Sequence, residues 1–167
     1  MNPFEEANLL PIPECTPYVG HERFEFPKEV FKQVVRKLRQ RADVERPLRC
    51  ADIACANGEM LYLFKQEFPN WQLHGYDITP EFIECVRAFP GLEGVRLDVK
   101  DMYDLDEKFD VVTFIGLMHA MWDPEPPLEK LLSLVAEGGL LLIDAASWDA
   151  YLDSAVPASS TGEGTGR

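Results

Sequence analysis

The stretch from Asp52 to Glu59 has the residue types that a ligand-binding loop needs. Alternate positions carry small residues, namely Ala54, Ala56 and Gly58. Small side chains let a ligand approach the backbone, and Asn57 and Gly58 tolerate the positive φ of a sharp turn. Free N–H groups at the start of a following helix can bind the acceptor atoms of a ligand. We therefore expect a ligand loop here, lined also by Cys55.

The spacing of this loop argues against phosphate-binding motifs. A dinucleotide loop has the pattern G-x-G-x-x-G. If Ala54 and Ala56 stand for the first two glycines, Glu59 falls on the third, where its negative charge opposes a pyrophosphate. The chain also has no Gly-Lys-Ser or Gly-Lys-Thr of a Walker loop. We therefore expect a nucleoside without phosphates.

Two later pairs of neighbouring residues can complete a nucleoside site. Asp77, followed by Ile78, ends a predicted strand, and an acid there can accept hydrogen bonds from both ribose hydroxyls. Asp101 can accept a hydrogen bond from the exocyclic amine of adenine, while Met102 packs on the ring. We count Asp77, Ile78, Asp101 and Met102 as candidate ligand contacts.

The elements that must position these residues alternate between strand and helix. The apolar patterns predict strands over 50–54, 71–76, 94–99, 109–115 and 140–144, and helices beginning near 27, 60, 80 and 125. We expect the last helix to run to Glu137 and to stop at Gly138-Gly139. Such alternation predicts an α/β fold with a doubly wound, mainly parallel sheet. Ligands bind such sheets at the carboxyl ends of the strands, where Asp77 and the Asp52–Glu59 loop fall.

Composition and charge exclude several classes of protein. The chain has 167 residues and a net charge of −13, which repels a phosphate backbone, so we expect no nucleic-acid partner. Its longest apolar stretch, Val111 to Met118, is far shorter than the ~20 residues that span a bilayer, so we expect no membrane partner. The four cysteines have no C-x-x-C spacing, and the three histidines lie far apart. We therefore expect no metal, reduced thiols and a cytoplasmic location.

The predicted organisation is one α/β domain over 27–148. Residues 1–26 carry four prolines and no clear period, which predicts an extended N-terminal arm. Residues 149–167 end in a Ser-, Thr- and Gly-rich stretch, which predicts a flexible C-terminal tail.

The ordered motifs resemble the class I S-adenosylmethionine-dependent methyltransferases. The motifs are Asp52-x-Ala54-x-Ala56-x-Gly58, Gly75-x-Asp77, Asp101-Met102, the strand Phe109-Asp110-Val111-Val112, and Leu134 to Leu140. They keep the order and spacing of that family from about Arg49 to Asp144.

The resemblance implies a Rossmann-like fold, the cofactor S-adenosyl-L-methionine and methyl transfer to a nucleophile. The negative net charge favours a small-molecule acceptor, neutral or cationic, over a nucleic acid. It implies that Ala54 to Gly58 lie under the methionine part of the cofactor and that Asp52 supports this loop. Asp77 would then hold the ribose, and Ile115 would form the floor of the site. His119, in the loop after the fourth strand, is the candidate general base. We expect Trp122, in the same loop, to pack inside the fold, and stacking on the acceptor is the alternative.

Two departures from the family keep an alternative function open. The family usually has glycine at the positions of Ala54 and Ala56, and an added methyl group is unfavourable wherever positive φ is needed. The family usually continues past the fifth strand, so the fold is expected to be truncated there. That strand is then left as an edge that can pair in a homodimer or be covered by the tail. A non-catalytic binding or interaction module is therefore the alternative to an enzyme. A nicotinamide-dependent oxidoreductase is a third, opposed by Glu59.

Overall fold

The computed structural model describes residues 25–118 and 121–143. Its helices are α1 (Glu25–Arg41), α2 (Glu59–Glu67), α3 (Pro80–Ala88) and α4 (Glu125–Leu134), with a short 3-10 helix at Met102–Asp104. Its strands are β1 (Arg49–Ile53), β2 (Gln72–Asp77), β3 (Arg96–Val99), β4 (Phe109–Phe114) and β5 (Val135–Ile143). The tail predicted over 149–167 and all but the last two residues of the arm predicted over 1–26 lie outside the described residues.

The five strands form one parallel sheet in the order β3-β2-β1-β4-β5. The chain reverses its direction of winding between β3 and β4, so β1 has β2 on one side and β4 on the other. Loops that leave the carboxyl ends of these central strands diverge there and leave room for a ligand. The predicted α/β fold class is confirmed, and the carboxyl edge of the sheet stays the predicted place of the site.

The sheet has one apolar cluster on each face. Helices α1, α2 and α3 contribute to the first, in which Leu38, Phe64 and Val86 are buried together with Leu73 of β2. Helix α4 contributes Leu131 and Leu134 to the second, with β-strand residues such as Phe114. Helices on both faces explain why β4 is almost uniformly apolar.

The boundary between α4 and β5 differs from the sequence-based expectation. Helix α4 ends at Leu134 rather than Glu137, and β5 already begins at Val135. Val135 pairs with Phe109, and a register shift follows before Leu140 pairs with Val111. Pairing with β4 thus overrides the weak helical preference of the β-branched Val135. The backbone turns at Gly138, which has a φ of 73°.

Cysteine states differ in part from the expectation of reduced thiols. Cys50 and Cys55 are free and buried, and burial raises the pKa of both thiols. Cys85 is disulfide-bonded, so the expectation is wrong at that position.

Within residues 25–118 and 121–143, no helix combines the length and apolar character that crossing a bilayer requires. The same residues contain no group of three or more His, Cys, Asp or Glu side chains arranged to hold a metal ion.

Gly75 of β2 lets the strand pack closely against its neighbours, and an alanine there should destabilise the fold. A Cβ atom at this position would lie 2.6 Å from Leu61 Cδ1 and 2.8 Å from Leu97 Cδ2, and both leucines are buried. We expect Gly75→Ala to lower the free energy of unfolding by about 1–3 kcal/mol, measured by urea denaturation. Asp106→Ala, at an exposed position, is the control and should leave the free energy of unfolding unchanged. A loss in Gly75→Ala no larger than that in the control would contradict the crowding.

Candidate cofactor site

The loop between β1 and α2 adopts an unusual backbone conformation. Ala54 and Ala56 have φ angles of 57° and 44°, and Gly58 has a φ of 75°. Left-handed backbone costs an L-residue with a side chain about 1–2 kcal/mol. The loop still has internal order, because Cys55 N–H donates to Tyr76 O at 3.0 Å and Gly58 N–H donates to Cys55 O at 2.8 Å. The strained conformation is therefore imposed by contacts around the loop.

Asp77, at the end of β2, accepts one of the hydrogen bonds that fix this backbone conformation. Its Oδ2 accepts the N–H of Ala56 at 2.9 Å, and its Oδ1 accepts the N–H of Thr79 at 2.8 Å. The side chain is buried, with 7% of its surface exposed, and it faces the loop rather than bulk water. A carboxylate has about four acceptor positions, so acceptor capacity remains for ribose hydroxyls.

Asp52 lies under the same loop, where its buried carboxyl group has fewer hydrogen-bond donors than that of Asp77. The residue is 3% exposed, and its Oδ1 accepts the hydroxyl of Thr113 at 2.7 Å. Burial raises the pKa of Asp52 to about 7, with smaller contributions from the nearby carboxyl groups of Glu59 and Asp77, while the Thr113 hydrogen bond opposes the rise. Asp52 thus holds its proton in part at neutral pH.

Gly58 and Glu59 form the junction between the loop and α2. A Cβ at Gly58 would lie 2.8 Å from Val86 Cγ1, so side-chain packing and the positive φ both require glycine. Glu59 is half-buried, and burial raises its pKa, while hydrogen bonds from its own backbone and from the side chain of Asn57 oppose the rise. Asn57 and Glu59 therefore interact at the start of the helix.

The remaining expected contacts lie at the same edge of the sheet. The backbone N–H of Lys100 donates to Asp77 O at 2.9 Å, which brings the loop after β3 next to β2. Asp101 is exposed, and its Oδ1 accepts the N–H of Tyr103 at 3.0 Å. Met102 and Ala54 are half-buried and pack against the same apolar cluster. Ile78 is 69% exposed, and a ligand can reach it.

The loop after β4 carries the other expected positions. Ile115 is half-buried, and Gly116 follows it with a φ of 82°. His119, the candidate general base, lies outside the described residues. Trp122 is 95% exposed, so the expectation that it packs inside the fold is wrong.

Sequence reasoning missed Thr113 and undervalued Glu59. Thr113 lies in a strand of otherwise apolar residues apart from Asp110, is fully buried, and provides the hydroxyl bound to Asp52. A lone polar residue in a buried strand was the available signal, because buried hydroxyl groups require hydrogen-bond partners. In the sequence, Glu59 is an argument against binding of a pyrophosphate. In the structure, it also adds a third carboxyl group to the site.

Replacing the two left-handed alanines by glycine should relieve strain. The strain of about 1–2 kcal/mol per residue is offset by the extra freedom of glycine in the unfolded chain, roughly 0.4–1 kcal/mol. We expect Ala54→Gly and Ala56→Gly each to raise the free energy of unfolding by up to about 1 kcal/mol, measured by urea denaturation. Ala88→Gly at the end of α3 is the matched control, and it should be destabilising. A lower free energy of unfolding in all three variants would contradict the inference that Ala54 and Ala56 are strained.

The arrangement fits a nucleoside cofactor whose other end is uncharged or cationic. Asp77 offers hydrogen-bond acceptors, Ile78 and Met102 offer apolar surface, and the small loop residues let a ligand approach the backbone. Asp52, Glu59 and Asp77 together oppose an anionic phosphate.

Similarity to known proteins agrees with this geometry. A family model described as "Methyltransferase domain" matches residues 51–141, more than half of the chain. Trans-aconitate 2-methyltransferase of Rhodococcus jostii is 30% identical over 89 residues, which are 53% of this chain and 34% of that protein. The chain thus spans about a third of the length of this curated relative.

Solved structures share the fold. The plantazolicin methyltransferase BpumL, in complex with SAH and a pentazolic desmethylPZN analog, gives a TM-score of 0.62 at 19% identity, over 85% of this chain and 56% of that one. The sugar N-methyltransferase KedS8 from Streptoalloteichus gives a TM-score of 0.56 at 26% identity, over 68% of this chain and 46% of that one. With the family match over the strands and loops that build the site, the chain belongs to the methyltransferase-domain family.

Proposed function

We propose that the protein transfers a methyl group from S-adenosyl-L-methionine to a small-molecule acceptor. The observation that carries the proposal is Asp77, a buried carboxylate at the end of β2 that faces a loop of small residues and keeps free acceptor positions. Family membership gives the reaction class. The cofactor is S-adenosylmethionine, in keeping with the family and with the SAH in solved structures of the same fold.

Each residue of the site has a distinct task in this proposal. Asp77 binds the ribose, Asp101 and Met102 bind the adenine together with Ile78, and Ile115 forms the floor. Residues 54–58 contact the methionine part, and Asp52 supports them from below. The bound cofactor supplies an electrophilic methyl group. The chain contributes positioning, and His119 accepts a proton from the acceptor.

The acceptor is a small molecule rather than a nucleic acid in this proposal. A net charge of −13 opposes a phosphate backbone. The similar proteins are named for varied acceptors, among them trans-aconitate, a sugar and coclaurine. We also keep the cytoplasmic location and the division into an arm, a domain and a tail as proposals.

A non-catalytic binding module is the second candidate, and one observation favours it. The left-handed φ angles of Ala54 and Ala56 put methyl groups where the family usually has hydrogen atoms. If these methyl groups fill the cofactor space, the fold remains but the activity is lost.

Calorimetry with S-adenosylmethionine and S-adenosylhomocysteine tests the proposal. We expect binding of both by the full chain and transfer of a labelled methyl group to some compound in a small-molecule screen. His119→Ala should lower transfer without abolishing cofactor binding. Absence of heat at millimolar ligand, with folded protein, would reject the enzyme and favour the binding module.

The edge strand β5 is the proposed contact in a homodimer. Among the described residues its only strand neighbour is β4, and Leu140 to Ile143 are half-buried. An unpaired edge with apolar side chains is suited to pairing with a second copy. Light scattering after gel filtration should report a dimer. A monomeric wild-type chain would contradict the pairing.

A further inference from the structure

Asp52 and Asp77 are both buried carboxyl groups of the proposed cofactor site, but their hydrogen-bond partners differ. Asp77 accepts one backbone N–H on each oxygen. Asp52 accepts one hydroxyl, that of Thr113, on one oxygen. A carboxylate with fewer donors is held less well in its charged form, so burial with a single donor favours the protonated form of Asp52.

The titratable groups that face Asp52 do not compensate its charge. Cys50 lies on the same strand, Cys55 and Glu59 lie on the loop and α2, and Asp77 lies on β2. All of them are neutral or negative. Within the described part of the chain, no ion pair with a lysine, arginine or histidine involves Asp52, Glu59 or Asp77. A positive charge brought by a ligand would therefore be the compensating charge for these groups.

We propose that Asp52 makes the site selective for the cationic sulfonium of S-adenosylmethionine over the neutral thioether of S-adenosylhomocysteine, because binding of the cation releases the Asp52 proton. This inference rests on the proposed function. The proton leaves the Asp52 carboxyl group and passes to the buffer, and the charge of the carboxylate then compensates that of the cation. S-adenosylhomocysteine shares the α-ammonium group of S-adenosylmethionine but carries no charge at sulfur, so the sulfonium is the difference that releases the proton, and we expect Asp52 to keep its proton when the thioether binds.

The raised pKa of Asp52, about 7, sets the size of the effect. If the cation lowers that pKa to 5 or less, the affinity for S-adenosylmethionine rises about tenfold between pH 5.5 and pH 7. About 0.8 proton is then released at pH 6. The affinity for S-adenosylhomocysteine should change little over this range. Asp52 is a specificity residue in this inference and takes no part in bond making.

Isothermal titration calorimetry of the full chain tests the inference. Each ligand is titrated at pH 6 in two buffers with different ionisation enthalpies, which gives the number of protons released, and its affinity is measured at pH 5.5 and pH 7. We expect proton release with S-adenosylmethionine only. In Asp52→Asn that release should disappear, and the tenfold rise in affinity with pH should disappear with it. Asp106→Asn, at an exposed position, is the control and should behave like the wild type.

The possible outcomes separate this inference from the function on which it rests. Equal proton release and equal pH dependence for the two ligands would overturn the role of Asp52 and leave the methyltransferase intact. Binding of neither ligand by folded protein would overturn the proposed function and the inference together. If Asp52→Asn does not fold, the comparison of the two ligands on the wild-type chain still decides.

Discussion

Asp77→Ala is expected to weaken S-adenosylmethionine binding by roughly 100-fold, because it removes charge-assisted hydrogen bonding to the ribose hydroxyls that is worth ~1.5–3 kcal/mol in total. The expectation depends on the position of Asp77, which is buried at the end of β2 and still has free acceptor positions. Calorimetry of wild type and variant gives the two dissociation constants. A change below threefold would mean that Asp77 does not contact the ligand.

The same substitution should also destabilise the loop, because Asp77 holds two backbone donors. The N–H groups of Ala56 and Thr79 lose their acceptor in the variant. Leaving a buried donor unsatisfied costs about 1–3 kcal/mol, so we expect a loss of roughly 2–5 kcal/mol in the free energy of unfolding. Hydrogen exchange at Ala56 should become faster, whereas exchange in α1 should not.

Asp77→Asn separates the two effects, because it keeps the size of the side chain. The amide offers one acceptor oxygen and one NH2 group, so one of the two backbone N–H groups faces a donor. We expect stability and affinity both to fall, and to lie between those of the wild type and the alanine variant. Asp106→Ala, which removes an exposed carboxylate, should leave both unchanged. A fully stable alanine variant with weak binding would show that Asp77 serves the ligand alone.

Much of the fold could be predicted because apolar periodicity and burial coincide. The helix predicted to begin near residue 27 carries Phe31, Val34 and Leu38 at helical spacing, and all three are buried in the first apolar cluster. The strand predicted over 109–115 is almost uniformly apolar, and both of its faces are covered by helices. These local patterns determine which side chains leave water, and burial is the largest favourable contribution to folding.

The remaining features depend on contacts between distant segments. The end of α4 at Leu134 follows from pairing of Val135 with Phe109 on β4. Trp122 is exposed although its size and apolar surface favour burial. Composition alone could not predict either, because both depend on which surfaces the rest of the chain offers.

The geometry of the candidate site also depends on contacts between segments that are distant in sequence. Residue types and spacing predicted the loop and the acid at the end of β2. From the sequence, an added methyl group at Ala54 or Ala56 is unfavourable if φ is positive there. Whether φ is positive could not be predicted, because alanine has no intrinsic preference for it. The acceptor that Asp77 presents to Ala56 N–H helps to fix that conformation. The raised pKa of Asp52 likewise depends on burial and on Thr113, 61 residues away in sequence.

Asp52→Asn is expected to be more stable than the wild type at pH 8 and less stable at pH 4. The pKa of Asp52 is about 7 in the folded protein, against an ordinary value of 3.8. Between these values the folded state binds the extra proton. The wild type therefore loses this part of its stability as the pH rises from about 4 through 7, by about 4 kcal/mol.

Asparagine removes that pH dependence and keeps the oxygen that accepts the Thr113 hydroxyl. Its NH2 group must be buried without an assured partner, which costs about 1–3 kcal/mol. The net gain at pH 8 is therefore about 2 kcal/mol. At pH 4 the wild-type carboxyl group is neutral in the folded state and about 40% protonated in the unfolded state, so its pKa difference costs the wild type only about 0.6 kcal/mol and the cost of the asparagine dominates. Groups whose pKa values are lowered, such as Glu93 and Glu107, contribute the opposite trend to both proteins, so the difference between them isolates Asp52.

Urea denaturation of both proteins at pH 4, 6 and 8 measures this difference, with Asp106→Asn as a surface control that should track the wild type at each pH. The change of sign between pH 4 and pH 8 is the decisive feature. A variant that is less stable than the wild type by the same amount at every pH would mean that Asp52 has an ordinary pKa in the folded protein. In that case the cation of the cofactor would find a carboxylate already charged at neutral pH, and no proton would be released on binding.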